Sequence, residues 1–198
     1  MDFHDDFFTA VDPVENQELD AELRSLDLNN AAQMLLFSAS RLDRENADHI
    51  YHAMKLDIIG DVYSVIKAPE HAEDQNVTDI FGNNHCITYL KRPDDLTNER
   101  VCDGPLIWDL DLDYFCSPDP ERPNQTGPRL TDDQITPQLL PTPDWMQHVL
   151  CCLAGMTIAL EPFHTGGLVT SLDLYKLLED SLFTAPIGSD KCEWRTSV

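Results

Sequence analysis

The chain has 198 residues, 42% of them hydrophobic, and a formal net charge of −23. That length supports one compact domain with a substantial core, and the apolar content excludes wholesale disorder. The acidic balance excludes nucleic acid and anionic membrane as natural partners, because phosphate binding needs Lys and Arg; it suits a cationic substrate or a basic peptide, and it also serves plain solubility.

Leu19, Leu23 and Leu26 recur at helical spacing within a stretch from Glu15 to Leu28, and Asn29 and Asn30 break it. Ala31 to Arg41 is predicted as a more apolar helix, with Met34, Leu35, Leu36 and Phe37, and Asp48 to Met54 as a further amphipathic piece. Val62–Ile66 and Cys86–Leu90 have the β-branched and aromatic content of strands. Pro105 to Phe115 is the best strand: Leu106-Ile107-Trp108, then alternating Asp and Leu, then Tyr114-Phe115. Ser117 to Pro128 is rich in Pro, Asn and Gly and reads as a long loop. Pro143 to Ala154 is predicted as a helix, Met156–Leu160 as a short buried strand, and Thr170 to Phe183 as a final helix carrying Leu172, Leu174, Leu177, Leu178 and Leu182. Strands alternating with helices predict an α/β fold with a mainly parallel sheet.

Six cysteines are present and none forms a C-x-x-C pair; Cys151-Cys152 sits in an apolar run that reads as core. The acidic N-terminus does not resemble a signal peptide, and no apolar run approaches the roughly 18 to 20 residues of a membrane span. A cytoplasmic protein with free thiols is the expectation.

Two carboxylate clusters carry the chemistry, Asp2-Phe3-His4-Asp5-Asp6 and Asp109-Leu110-Asp111-Leu112-Asp113. Alternate strand residues share a face, so Asp109, Asp111 and Asp113 are expected to stack their carboxylates on one side of one strand. Carboxylates that close repel, and a divalent cation compensates directly. Asp111 and Asp113 lie nearest the carboxyl end of the strand, where α/β sheets collect ligands. Asp109 lies deeper, in a supporting position or paired with a base. Asp2, His4 and Asp6 repeat the alternation with one imidazole, a donor set suited to Mn, Fe or Zn. Five candidate ligands exceed what one ion usually takes from protein, and a pair of ions that activates water fits better. A solvated acidic turn remains the alternative for the second cluster, and an acidic tail for the first.

The D-x-H-x-D of Asp2, His4 and Asp6 and the D-x-D of Asp111 and Asp113 resemble the motifs of the arginase and agmatinase (ureohydrolase) superfamily. Trp108-Asp109-Leu110-Asp111-Leu112-Asp113-Tyr114-Phe115 is closer to a divergent branch with an L-D-I-D-L-D-F-F signature, which includes the peptide arginases. Those enzymes convert arginine side chains within ribosomally made peptides to ornithine. Thr157-Ile158-Ala159 is similar to the T-I-A segment of that family. The resemblance implies one three-layer α/β/α arginase-like domain over residues 1–198 and two Mn ions per chain, with Asp2, His4, Asp6, Asp111 and Asp113 as ligands. It implies an arginine-containing precursor peptide as substrate, and leaves an oligomer open.

Arginases bind the guanidinium through a glutamate at the end of the last catalytic strand, and Glu161 stands at that position here. Gly82-Asn83-Asn84-His85 resembles the G-N-x-H segment whose histidine shuttles protons, with His164 as a second candidate. The chain departs from the superfamily in two ways. One residue precedes Asp2, so the superfamily's earlier histidine ligand has no counterpart in the given sequence; a longer chain or a different completion of the site is expected. Cys116 stands where arginases place a third Asp. Two other readings stay open: a hydrolase of another guanidino or amide compound, and a non-catalytic binding protein of the same fold.

Overall fold

The computed structural model describes residues 13–42, 49–67, 74–98, 104–122 and 125–195; Asp2, His4 and Asp6 lie outside the described residues. The described chain is mixed α/β, with six helices and small sheets, in two compact units.

The first unit holds α1 (Pro13–Ser25), α2 (Ala31–Arg41), α3 (His49–Lys55), β1 (Val62–Val65), β2 (Gln75–Thr78) and β3 (Asn84–Leu90). Asn30 starts α2 by accepting from the backbone amides of Ala32 and Gln33 at 3.1 and 3.3 Å, satisfying donors that have no partner inside the helix. Leu23, Phe37, Leu56 and Ile80 form one buried cluster, and Met54, Val77 and Ile87 another. The apolar run of α2 is only partly core: Phe37 is buried, while Leu35 and Leu36 are exposed on the opposite face. The three strands lie in the order β1-β3-β2. β2, which its polar sequence concealed, pairs antiparallel with β3 through Val77↔His85 and Thr78↔Asn84.

The second unit holds β4 (Leu106–Asp111), a 3₁₀ turn (Leu112–Phe115), β5 (Cys116–Pro118), β6 (Thr126–Arg129), α4 (Asp132–Leu139), α5 (Asp144–Cys152), β7 (Leu153–Ala159) and α6 (Leu168–Leu182). β4 and β7 pair in parallel, in register from Ile107↔Gly155 to Asp111↔Ala159. Trp108 and Leu110 bury the other face of β4, with Trp108 edge-on to Trp145 of α5 at 6.2 Å. In α6, Leu174, Leu178 and Leu182 repeat every four residues and are buried, whereas Leu172 points to solvent.

Three expectations change. The stretch expected as a loop contains the antiparallel β5–β6 pair, and Gly127 is required there because a Cβ would meet the Pro118 carbonyl oxygen at 2.9 Å. The mainly parallel sheet is represented by the β4–β7 pair, beside the antiparallel β2–β3 and β5–β6 pairs. The cysteine pair is not core: Val149 to Ala154 crosses from α5 into β7, leaving Cys151 exposed and Cys152 half-buried. Cys152 is disulfide-bonded, so free thiols throughout are not what the chain holds; Cys86, Cys116 and Cys192 form no disulfide. Among the described residues no helix is long and apolar enough to cross a membrane.

Candidate functional site

Two groups of titratable residues stand out, one in each unit. In the second unit, β4 ends at Asp111 and the chain turns into the 3₁₀ segment that carries Asp113. The expected stack of three carboxylates along one strand therefore does not form. The strand is too short, and Asp113 is placed by the turn instead. Both carboxylates are nonetheless withdrawn from solvent, with Asp111 7% and Asp113 1% exposed. Asp109 accepts a hydrogen bond from Oγ1 of Thr157, its partner in the β4–β7 register.

Glu161 follows the end of β7 at the same edge, since Asp111 pairs with Ala159. Its φ of +44° lies in the left-handed region, which is unusual for a side chain without glycine's freedom. The turn is held by its own carbonyl, which accepts from the amides of His164 and Thr165 at 3.0 and 2.9 Å. Thr165 in turn bonds Ser171 of α6, hydroxyl to hydroxyl, at 2.6 Å. His164 is exposed on this turn.

The surroundings of Asp113 are electrically tuned. Lys67 donates to the Cys116 carbonyl at 3.2 Å and lies 4.5 Å over the Tyr114 ring. Burial lowers its ammonium to about 8, while Cys116 and Asp113 pull it back upward. Burial, then the charge of Asp113, pushes the Cys116 thiol up to about 11. Burial and Asp94 push Tyr114 up to about 12. With no cation beside it, a thiol held that high stays protonated near neutral pH.

In the first unit, His85 meets two acids that its sequence context did not reveal, Asp57 and Asp79. Its Nε2 lies 3.3 Å from Asp79 Oδ2 and 3.5 Å from Asp57 Oδ1. One ligand atom from each of the three residues lies within 4.8 Å of the others. Asp79 opens the turn between β2 and β3. Its Oδ1 accepts from the amides of Phe81 and Asn83 at 2.7 and 2.8 Å, and its Oδ2 from the Asn83 side-chain amide at 2.8 Å. Burial alone would raise this carboxyl, but the bonds from Asn83, Phe81 and His85 outweigh it and hold the group at about 2. The amide of Ile80 donates to the Lys55 carbonyl at 3.0 Å, which ties this turn to the end of α3. Asp57, at φ +55°, follows that helix end.

The sequence-predicted residues are thus divided. Asp111, Asp113, Glu161 and His164 belong to the second unit and His85 to the first. The hydrophobic pattern could not have found Asp57 or Asp79, since both lie in turns; Asp57 is remote in sequence from His85, while Asp79 is near it and carries a local signal in the Asp79 to Asn83 turn chemistry. No family model, no curated protein and no solved structure matches the chain.

Proposed function

We propose that the chain is a manganese-dependent hydrolase that converts arginine residues of a ribosomally made peptide to ornithine with release of urea. One observation carries this reading: buried Asp111 and Asp113 and the strained Glu161 all follow the carboxyl ends of two strands paired in parallel. Carboxylates out of water need positive charge beside them, and an all-oxygen pair fits a hard or borderline divalent ion. Lys67 supplies part of that charge near Asp113. In this reading β4 and β7 belong to a three-layer arginase-like sheet, and Asp2, His4 and Asp6 complete the ligand set.

Manganese, when bound, lowers the pKa of water and so provides a nucleophile at neutral pH. The chain's own residues do the rest. Asp111 and Asp113 hold the ion, and Thr157 fixes Asp109 behind them. Glu161 accepts two N–H bonds from the guanidinium, a charge-assisted pair that orients the carbon to be attacked. A backbone outlier at such a position is what a substrate clamp tolerates. The bond between the guanidinium carbon and the side-chain nitrogen breaks, and a proton must reach that nitrogen. His164, on the turn of Glu161, is the group for it, ahead of His85 in the other unit. The charge of −23 draws a cationic peptide towards the protein.

The test is mass spectrometry of an arginine-containing peptide incubated with the full chain and Mn. The expected result is replacement of a carbamimidoyl group by hydrogen, with an equal amount of urea. Turnover that survives exhaustive chelation, or no change of peptide mass after Mn is restored, overturns the proposal.

A further inference from the structure

We infer that Asp57, Asp79 and His85 form a separate metal site, one that takes a single first-row divalent ion such as zinc. The argument starts from donor type. One imidazole nitrogen with two carboxylate oxygens is a mixed set that suits Zn, Mn or Fe, whereas Ca and Mg prefer oxygen alone. The imidazole separates this group from the acidic surface that a charge of −23 spreads elsewhere.

Spacing comes next. Metal–ligand bonds of about 2.0 to 2.2 Å put neighbouring donors of a tetrahedral site about 3.3 to 3.6 Å apart. The separations from His85 Nε2 are 3.3 Å to Asp79 and 3.5 Å to Asp57. As hydrogen bonds these are long, the usual N–H···O distance being about 2.9 to 3.0 Å. A single Nε2 also carries at most one proton, too few to bond both acids well. The three ligand atoms all lie within 4.8 Å of one another, close enough for one cation to meet each of them.

The support around the donors is that of a built site. Asp79 is oriented by two backbone amides and one side-chain amide, leaving Oδ2 room for a further partner. The Asp79 side chain has no exposure and that of His85 only 9%, while Asp57 is 45% exposed. Asp57 therefore marks the entry path and the side on which a fourth position stays open to water. The competing account is an ion pair of His85 with Asp79 that steadies the turn. It gives Asp57 no role, and that difference decides the test.

The full chain, stripped by chelation, is titrated with zinc chloride by calorimetry. Four forms are compared: wild type, the double variant Asp111→Asn with Asp113→Asn, and that double variant carrying in addition Asp57→Asn or His85→Gln. The double variant should still bind one zinc at this site. Adding Asp57→Asn, a surface change that leaves the turn intact, should weaken that binding by about 10-fold or more. Adding His85→Gln should abolish it, and X-ray absorption of the zinc-loaded double variant should report nitrogen together with oxygen ligands. Zinc affinity unchanged when Asp57→Asn is added to the double variant overturns the inference, as does a double variant that binds no zinc. Neither outcome bears on urea release, so a failure here is distinct from a failure of the hydrolase proposal.

Discussion

The β4–β7 edge and the β2–β3 turn gather acids by opposite routes. At the edge, the β4–β7 ladder fixes Asp111, and the turns that follow the two paired strands place Asp113 and Glu161. At the turn, Asp57, Asp79 and His85 are brought together by side-chain bonds to the backbone and by one amide from Ile80 to Lys55. The first arrangement withdraws both Asp111 and Asp113 from solvent. The second encloses one carboxylate almost completely and leaves another open. Acids can thus be gathered at the ends of paired strands or around a single turn, with different tolerance to change.

Activity should give the widest contrast. Asp113→Asn and Glu161→Gln should each lower urea release by about 100-fold or more, since lost positioning alone costs that much. An equal loss from Asp57→Asn would mean that both regions serve one reaction.

Stability should separate them next. Leu110 is fully buried beneath the edge, and Leu110→Ala should cost about 2 to 5 kcal/mol in urea denaturation. Leu35, exposed on α2, should cost about 0.5 kcal/mol or less on the same change. Comparable costs would refute the assignment of Leu110 to the core of its unit.

A smaller effect probes the support behind the edge. Thr157→Val removes the hydroxyl that bonds Asp109 and should weaken Mn affinity by about 10-fold, measured by calorimetry. Complete loss would promote Asp109 from a supporting role to a direct ligand.

The pH dependence sharpens the turn. The Asp79 carboxyl is held at about 2 in the fold, against 3.8 for the unperturbed group. A depressed acid adds stability that is fully present above its unfolded value and lost as pH falls through its folded one. Thermal melts of the wild type should therefore decline between pH 3.8 and about 2. Asp79→Asn should flatten that decline, and an unchanged acid limb would count against the hydrogen-bonded turn.

Much of the fold was legible in periodicity. The Leu pattern of α6, the strand at Val62 and the apolar run ahead of Asp109 all form the expected element types. What stayed hidden has physical causes. β2 is mostly polar, and β5 and β6 are short, Pro-rich strands whose pairing depends on one glycine. Strand propensity cannot detect such segments, because the partner strand supplies the stabilisation. The end of β4 was misjudged for a related reason. Alternating Asp and Leu can continue a strand or enter a 3₁₀ turn, and the burial of Leu112, Tyr114 and Phe115 together favours the turn.

The sequence by itself placed Asp111 with Asp113, and Glu161 with His164, near the ends of two expected strands, because the members of each pair are close along the chain. Tertiary structure alone completed the company of His85. Asp79 and His85 meet across one hairpin turn, but no local pattern encodes the arrival of Asp57 from the end of α3. The turn's hydrogen bonds and the tie from Ile80 to Lys55 bring the three together, and those bonds exist only once α3 and the β2–β3 pair have packed.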